Sequence, residues 1–469
     1  MKLCLQLLFY MFSHGVSYYD VGKARGCELG CSPVSLGGLI GPTGFGPPDV
    51  LNLTARQSAG NDWNCHNDEC ESYVQHVWRH SSPCFQGSEY EAQYCVFIDV
   101  NFAGGRGLSI ITTRQRADYL ATLPAFTVPD TTTGFNLDFT RLGSIKFEVR
   151  DIPGKGKGII ATDYIRRGER ILANTASLMI DYAVFSDLDY NIYTELQAYA
   201  VDHLPLAHRD AILNLSSHNA TNLTYTQLLD RIIATNMFDI EPDEDDPFEE
   251  PFAVVFPDIA RLNHDCRPNA DYRFSHASLA QTVVASRDIM PGEEITISYI
   301  DPLQPHKERM AKLVRSWGFQ CTCPLCAMEE QARIAESDAR IKQILRLREE
   351  LRNWNVTSRV LPQMAEVLVT LYELERLWGE IYQAYSLAAL AYNAVGDEWM
   401  AVKYAHLARE WGLPMVREDD ADMEEMAKLA GNPSEHWSWM KRVRRDESHG
   451  KIETEDSKDS GCLSKRVKN

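Results

Sequence analysis

The chain is 469 residues long and 44% hydrophobic, with 47 Lys and Arg against 66 Asp and Glu for a formal net charge of −19. That length leads to an expectation of two or three domains, and the apolar share is enough for a packed core. The acidic balance argues against a general nucleic-acid binder, which needs a basic face; with no run of about twenty apolar residues, no membrane span is expected either.

At the N-terminus, Lys2 precedes the apolar stretch 3–12, broken by Gln6, and small residues follow at Gly15 and Ser17. This is the pattern of a short secretory signal peptide over 1–17. Asn-x-Ser/Thr triplets stand at Asn52, Asn214, Asn219, Asn222 and Asn355. Six cysteines (Cys27, Cys31, Cys65, Cys70, Cys84, Cys95), with Trp63 and Trp78, mark a Cys-rich module over 18–126. An even cysteine count in a secreted segment reads as three disulfides. In a reducing compartment the same residues would be free thiols or, with His66, a second zinc site, and spacing alone does not choose.

Gly104-Gly105-Arg106-Gly107 is followed by a strand-like run, and Gly154-Lys155-Gly156-Lys157-Gly158 repeats the arrangement. The second copy opens the main domain in this reading, because Ile165, Gly168-Glu169 and Ile171 follow it. Residues 147–179 read as three short strands with turns at Pro153-Gly154 and Arg167-Gly168. From about 187 to 238 the apolar period is helical, through Leu196, Tyr199, Ala200 and Leu204, then Leu228, Leu229, Ile232 and Ile233. The acidic run 239–250 reads as a solvated loop, or, more sharply, as a guide for a lysine-rich substrate. Strands return over 253–299. After Cys326 the chain is helical to about residue 430. There Tyr385, Ala388, Ala391, Tyr392, Gly396-Asp397, Ala401, Tyr404, Ala405 and Ala408 have the spacing of one tetratricopeptide helix pair, the alternative being an unrelated helical bundle. Residues 441–469 are charged without apolar period and read as disordered.

Cys266 lies in Asn263-His-Asp-Cys-Arg-Pro-Asn269, and Cys321, Cys323 and Cys326 form Cys-x-Cys-x-x-Cys. Four thiolates make a complete tetrahedral zinc set, and a closed set is structural rather than catalytic. With one ligand far upstream, the metal would staple the end of a domain to its middle. Between them lies Pro-Gly-Glu-Glu-Ile-Thr-Ile-Ser-Tyr, 291–299. The three motifs in this order resemble the SET-domain protein lysine methyltransferases over about 144–328. The cysteine spacing, long insert and later helices are most similar to the SET-and-MYND class, without its MYND finger, since no cysteine lies between Cys95 and Cys266.

The resemblance implies an α+β SET-type fold of short β-sheets with a threaded crossing. It would span 144–301 with a helical insert at about 187–252 and a zinc-bound post-SET segment at 302–328; the helical spacing and the charged composition beyond it give an all-α TPR-like region at 329–440 and a disordered tail at 441–469. It implies an S-adenosylmethionine-dependent protein lysine N-methyltransferase holding structural zinc on Cys266, Cys321, Cys323 and Cys326. The partner would be a protein, histone or other, with a basic lysine-containing segment. The alternative is a catalytically inactive SET-fold binding or scaffold protein. The family's chemistry points to cytoplasm or nucleus, the N-terminus to the secretory pathway.

Methyl transfer to lysine needs the amine neutral, aligned and dry. Neutralising a free lysine at pH 7 costs roughly 4 to 5 kcal/mol, at about 1.36 kcal/mol per unit from a pKa near 10.4, and a desolvated channel beside a positive sulfur lowers that cost. On the family pattern Tyr299 is the catalytic residue; its phenol, with a pKa near 10, suits orienting the amine more than removing its proton. Asn263 and His264 would hold the adenosine portion. Gly156, Lys157 and Gly158 would let the backbone approach the cofactor, Lys157 pairing with its carboxylate. Asn236, in Thr235-Asn-Met-Phe238, would meet its amino-acid end and Phe319 would face adenine. Trp317 stands in the substrate channel, where the class usually has a tyrosine.

Overall fold

The structure, a computed structural model, describes residues 78, 83–88, 92–128, 131–132, 135, 145–218, 221–243, 246–327, 331–355, 360–417 and 420–443. The signal-peptide reading, Cys27, Cys31, Cys65 and Cys70, and the tail from 444 lie outside the described residues.

The described strands form three sheets. The largest runs in the order β1 (Cys84–Gln86), β2 (Gln93–Asp99), β3 (Leu108–Thr113), β7 (Leu178–Asp181), β9 (Phe252–Val255), β8 (Met237–Ile240). Its strands read as nearly unbroken apolar runs because both faces are covered. Alternation sends Cys95, Phe97, Leu108, Ile110, Met179, Phe252 and Val254 to one core. Tyr94, Val96, Ile98, Ile111, Leu178, Ile180, Ala253 and Val255 go to the other. The second core is closed by helices Tyr190–Asp202 and Tyr225–Asn236, through Leu196, Ala200, Leu229, Ile232 and Ile233. The first is closed by two smaller sheets, β10 (Asn263–His264), β13 (Glu294–Ile297), β5 (Gly156–Ala161), β4 (Phe147–Ile152), and β11 (Ala270–Ser275), β12 (Ala280–Ala285), β6 (Arg170–Thr175).

Three expectations change here. Residues 84–113, read as part of a separate module, extend the main sheet: β3 pairs in parallel with β7, Ile110 opposite Met179. They satisfy a row of backbone groups that β7 would otherwise leave at an edge. Of the six N-terminal cysteines, Cys84 and Cys95 are disulfide-bonded across the β1–β2 ladder. Next, the stretch read as three strands contains four. The chain leaves one sheet after Thr175 and enters another at Leu178, so one apolar run serves two strands.

The third change concerns the acidic run, which is not a freely solvated loop. Asp246 pairs with the buried Arg116, which also reaches the Glu250 carbonyl and lies over the Phe252 ring. Asp239 accepts from the Tyr182 hydroxyl, and Asp243 pairs with Arg417 at 2.7 Å. Asp246 is thus paired inside the protein, while Asp239 and Asp243 have partners at its surface.

Helices Gln331–Arg352, Pro362–Leu374, Ile381–Asn393, Glu398–Gly412 and Ala421–Gly431 form the C-terminal region around their own core. In the third and fourth, Ala384, Ala388, Ala391, Ala401, Ala405 and Ala408 are buried and let the backbones approach, while Tyr392 stacks on Tyr404 at 5.7 Å. Gly396 turns the chain between them at φ 80°, and Asp397 caps the next helix by accepting from the Met400 amide. The region is tied to the sheets by a buried ion pair of Arg267 with Glu375, whose carboxylate also meets Arg340 at 2.6 Å and Ser337 at 2.8 Å. Among the described residues no helix is long and apolar enough to cross a membrane.

Candidate functional site

Cys266 follows β10; Cys321, Cys323 and Cys326 sit in a tight turn after helix His306–Trp317, closed by the Cys326 amide donating to the Cys323 carbonyl at 2.9 Å. The four sulfurs lie within 4.8 Å of one another, and none is in a disulfide. Cys266 Sγ is 3.9 Å from that of Cys321 and 3.5 Å from that of Cys326. A tetrahedron with metal–sulfur bonds of about 2.3 Å has edges of about 3.8 Å, so the quartet fits a zinc ion. Among the residues around it, Arg309, buried at 1% exposure, donates to the Gln304 carbonyl and places its positive charge near Cys266 and Cys326. The donor set can order the chain and, being closed, leaves no position for a reactant.

His264 is 4% exposed and lies between this cluster and Tyr299. Its Nδ1 accepts from the Tyr299 amide at 3.1 Å, and its Nε2 is 3.3 Å from Cys266 Sγ. Burial pushes its pKa down to about 4. Tyr299 follows β13; its hydroxyl donates to the Leu262 carbonyl at 2.7 Å. Burial raises its pKa, and Glu294 adds to the effect, so the phenol stays neutral. Its ring centroid is 5.3 Å from that of Trp317, 5.4 Å from His264 and 6.4 Å from Phe319.

The glycine-rich turn meets this group from the other side. Gly156 has φ 73°, a conformation that favours glycine. A methyl group on Gly158 would fall 2.7 Å from Asn263 Nδ2 and 2.6 Å from Ile152 Cγ1. Asn263 Nδ2 donates to Glu294 Oε1 at 2.8 Å and to the Lys157 carbonyl at 3.2 Å, and Lys155 pairs with Glu294 at 2.7 Å. Lys157 is exposed and its ammonium lies 3.2 Å from Asp151 across the β4–β5 ladder.

The third side comes from the helical insert. Asn236, 9% exposed at the end of helix Tyr225–Asn236, donates to the carbonyls of Ser216 and Ile232, each at 2.7 Å. The neighbouring Thr235 carbonyl accepts from Trp317 Nε1 at 3.0 Å. Trp317 ends its helix, and Gly318 reverses the chain at φ 72° with no room for a side chain, since a methyl there would meet His218 Nδ1 at 1.7 Å. Phe319 follows at 6.2 Å from His264.

Tyr299, Trp317, Phe319 and His264 are thus in one ring cluster, and Asn263 and Gly158 touch. Asn236 joins through its neighbour Thr235, and Lys157 points to solvent beside Asp151. Residues that sequence reasoning passed over include Glu294 and Lys155, which hold Asn263, and Leu262, His218 and Arg309. Glu294 lay inside a motif already singled out and Lys155 inside the glycine run; the others carried no local signal.

Residues 156–300 match the SET domain family model. The chain is 31% identical over 209 residues to histone-lysine N-methyltransferase set5 of Schizosaccharomyces pombe, covering 42% of this chain and 56% of that protein. It is 40% identical over 88 residues to N-lysine methyltransferase SMYD2 of Gallus gallus and 38% over 88 residues to SMYD2 of Homo sapiens, in both cases 19% of this chain and 20% of the relative. The chain therefore spans about half the length of the first of these relatives and about a fifth of the other two.

Proposed function

We propose that the chain, whose residues 156–300 match the SET domain family model, is an S-adenosylmethionine-dependent protein lysine N-methyltransferase acting on a basic protein segment. The observation that supports this best is Tyr299, held at its amide by His264 and at its hydroxyl by Leu262, with its ring beside Trp317 and Phe319.

The methyl donor supplies an electrophilic carbon on a sulfonium. The backbone at Gly156 and Gly158, the Asn263 and Asn236 amides and the Phe319 face would bind it, and Lys157 is the cation available for a carboxylate at the mouth. Trp317 walls the lysine channel and, with Tyr299, excludes water, which favours the neutral amine. Tyr299 orients that amine for in-line attack: the nitrogen–carbon bond forms, the carbon–sulfur bond breaks, and the lysine proton leaves to solvent. Most of the rate gain in such a site is positioning. Cys266, Cys321, Cys323 and Cys326 would hold zinc, and a metal bound there would order the segment that carries Phe319. We place the protein in cytoplasm or nucleus with basic protein substrates; the Cys84–Cys95 bond supports the secretory alternative, which N-terminal sequencing and glycosidase sensitivity of the native protein decide.

The test is mass spectrometry of candidate basic proteins incubated with the full chain and isotopically labelled methyl donor. Labelled methyl-lysine is expected. Absence of any heat of binding for the donor refutes the reading, and binding without transfer to any substrate leaves a non-catalytic scaffold in its place.

A further inference from the structure

We propose that His264 is a positioning residue that transmits the state of the cysteine cluster to the backbone of Tyr299. The proposal rests on the methyltransferase reading only for its kinetic consequence; its structural content stands on hydrogen-bond geometry. A backbone amide can only donate, so the Tyr299 N–H at 3.1 Å requires His264 Nδ1 to be an unprotonated acceptor. The neutral ring then carries its proton on Nε2, which faces Cys266 Sγ at 3.3 Å. A metal-bound thiolate is a full acceptor for that proton, whereas a thiol is a weak one. Ligation at Cys266 therefore strengthens the hold on that tautomer and sets the ring angle, and the ring positions the amide of the residue next to the reacting groups.

Among the described residues no other side chain bridges Cys266 and the Tyr299 amide. The ring is 4% exposed and bounded by Tyr299 and Phe319, so it cannot turn toward solvent. Arg309 places a positive charge near Cys266 and Cys326 but lies on helix His306–Trp317 and makes no hydrogen bond to Tyr299. His264 is the side chain that links Cys266 to the Tyr299 amide. Outer-shell donors of this kind typically alter metal affinity about 10- to 100-fold when removed.

The experiment uses the full chain, loaded with zinc or with ¹¹³Cd, labelled with ¹⁵N at tyrosine and histidine, the Tyr299 amide being assigned from Tyr299→Phe. In the wild-type protein the proton is expected on His264 Nε2, with scalar coupling from cadmium to it. His264→Phe should lower zinc affinity about 10-fold or more in chelator competition and move the Tyr299 amide resonance. Arg309→Met should lower zinc affinity and leave that resonance in place. His264→Gln, which offers a donor and an acceptor, should restore part of both effects. With an active substrate, His264→Phe should reduce kcat about 10-fold with little change in peptide KM. A proton on Nδ1 in the wild type overturns the proposal, as does wild-type zinc affinity with an unmoved amide in His264→Phe. The tautomer measurement needs no variant to fold. A protein that transfers no methyl group but shows the Nε2 proton and the coupling refutes the activity and supports the relay.

Discussion

The Tyr299 hydroxyl donates to the backbone carbonyl of Leu262 at 2.7 Å, so the phenol is oriented by the segment that leads into Asn263 and His264. Tyr299→Phe leaves that carbonyl short of a partner in a buried setting, at a cost of about 1–3 kcal/mol of stability. Methyl transfer should fall by roughly 10²- to 10³-fold, the usual loss for one positioned hydrogen-bonding group. Donor binding by calorimetry should persist. Retained turnover in Tyr299→Phe would remove Tyr299 from the mechanism.

The cysteine quartet predicts at least one zinc per chain by elemental analysis. Cys323→Ser should lose the metal and, with it, the fixed position of Phe319 and Trp317, read as a changed tryptophan emission and a lower Tm. Stripping zinc from the wild type with a chelator should do the same, because metal-binding energy is folding energy in such a segment. A well-folded preparation without metal contradicts the assignment.

Gly318 joins the helix ending in Trp317 to the zinc segment at φ 72°, against His218. Gly318→Ala forces a side chain into the left-handed region and into the His218 ring, and should destabilise by about 2–5 kcal/mol, combining roughly 1–2 for the backbone with 1–3 for overpacking. Gly154→Ala is the control: its φ is 77° but nothing lies within 4 Å of the added methyl, so only the backbone share should appear. Equal melting shifts in the two would disprove the steric part.

Arg267 and Glu375, each with a side chain 2% exposed, tie the sheets to the C-terminal helices. Glu375→Gln leaves the buried Arg267 without its carboxylate and should cost about 3–5 kcal/mol, whereas Arg267→Met should cost less, because Arg340 still pairs with Glu375 at 2.6 Å. Arg267→Met with Glu375→Leu should recover part of this, with a coupling energy of about 0.5–3 kcal/mol in a double-mutant cycle. Strictly additive losses would show that the pair does not act as a unit.

Asp271 packs against Gly379, where a methyl would fall 2.6 Å from its Oδ2, and burial raises its pKa to about 6. Glu380 is raised to about 7 by burial and then Asp301, with Asp271 adding to the effect and Arg348 and Arg267 opposing it. Both folded values exceed the unfolded ones near 3.9 and 4.3. The folded state therefore binds these protons more tightly, and their contribution to stability is lost as pH rises from about 4 to 7. Asp271→Asn should be more stable than wild type at pH 7.5 by about 1–2 kcal/mol, at about 1.36 per unit less solvent screening, and equal to it near pH 4. Melting curves at the two pH values measure this; a gain independent of pH would exclude the titration.

The primary structure by itself determined the chemistry available to this protein: four cysteines in a metal-binding order, an Asn-His pair two residues before the first of them, a tyrosine after a Gly-Glu-Glu turn, and alanines and tyrosines at helix-pair spacing. These are local properties, legible because ligand type and short-range period survive without a fold. Only tertiary structure decided that residues 84–113 belong to the main sheet, that Asp239, Asp243 and Asp246 face partners within the protein, and that Lys157 lies outward while Lys155 and Glu294 hold Asn263. The orientation of His264, one nitrogen to a sulfur and the other to an amide, was likewise settled there. Each of these depends on which distant backbone or charge arrives beside a side chain, and that pairing is set by the packing of segments far apart in the chain, which local composition and period do not carry.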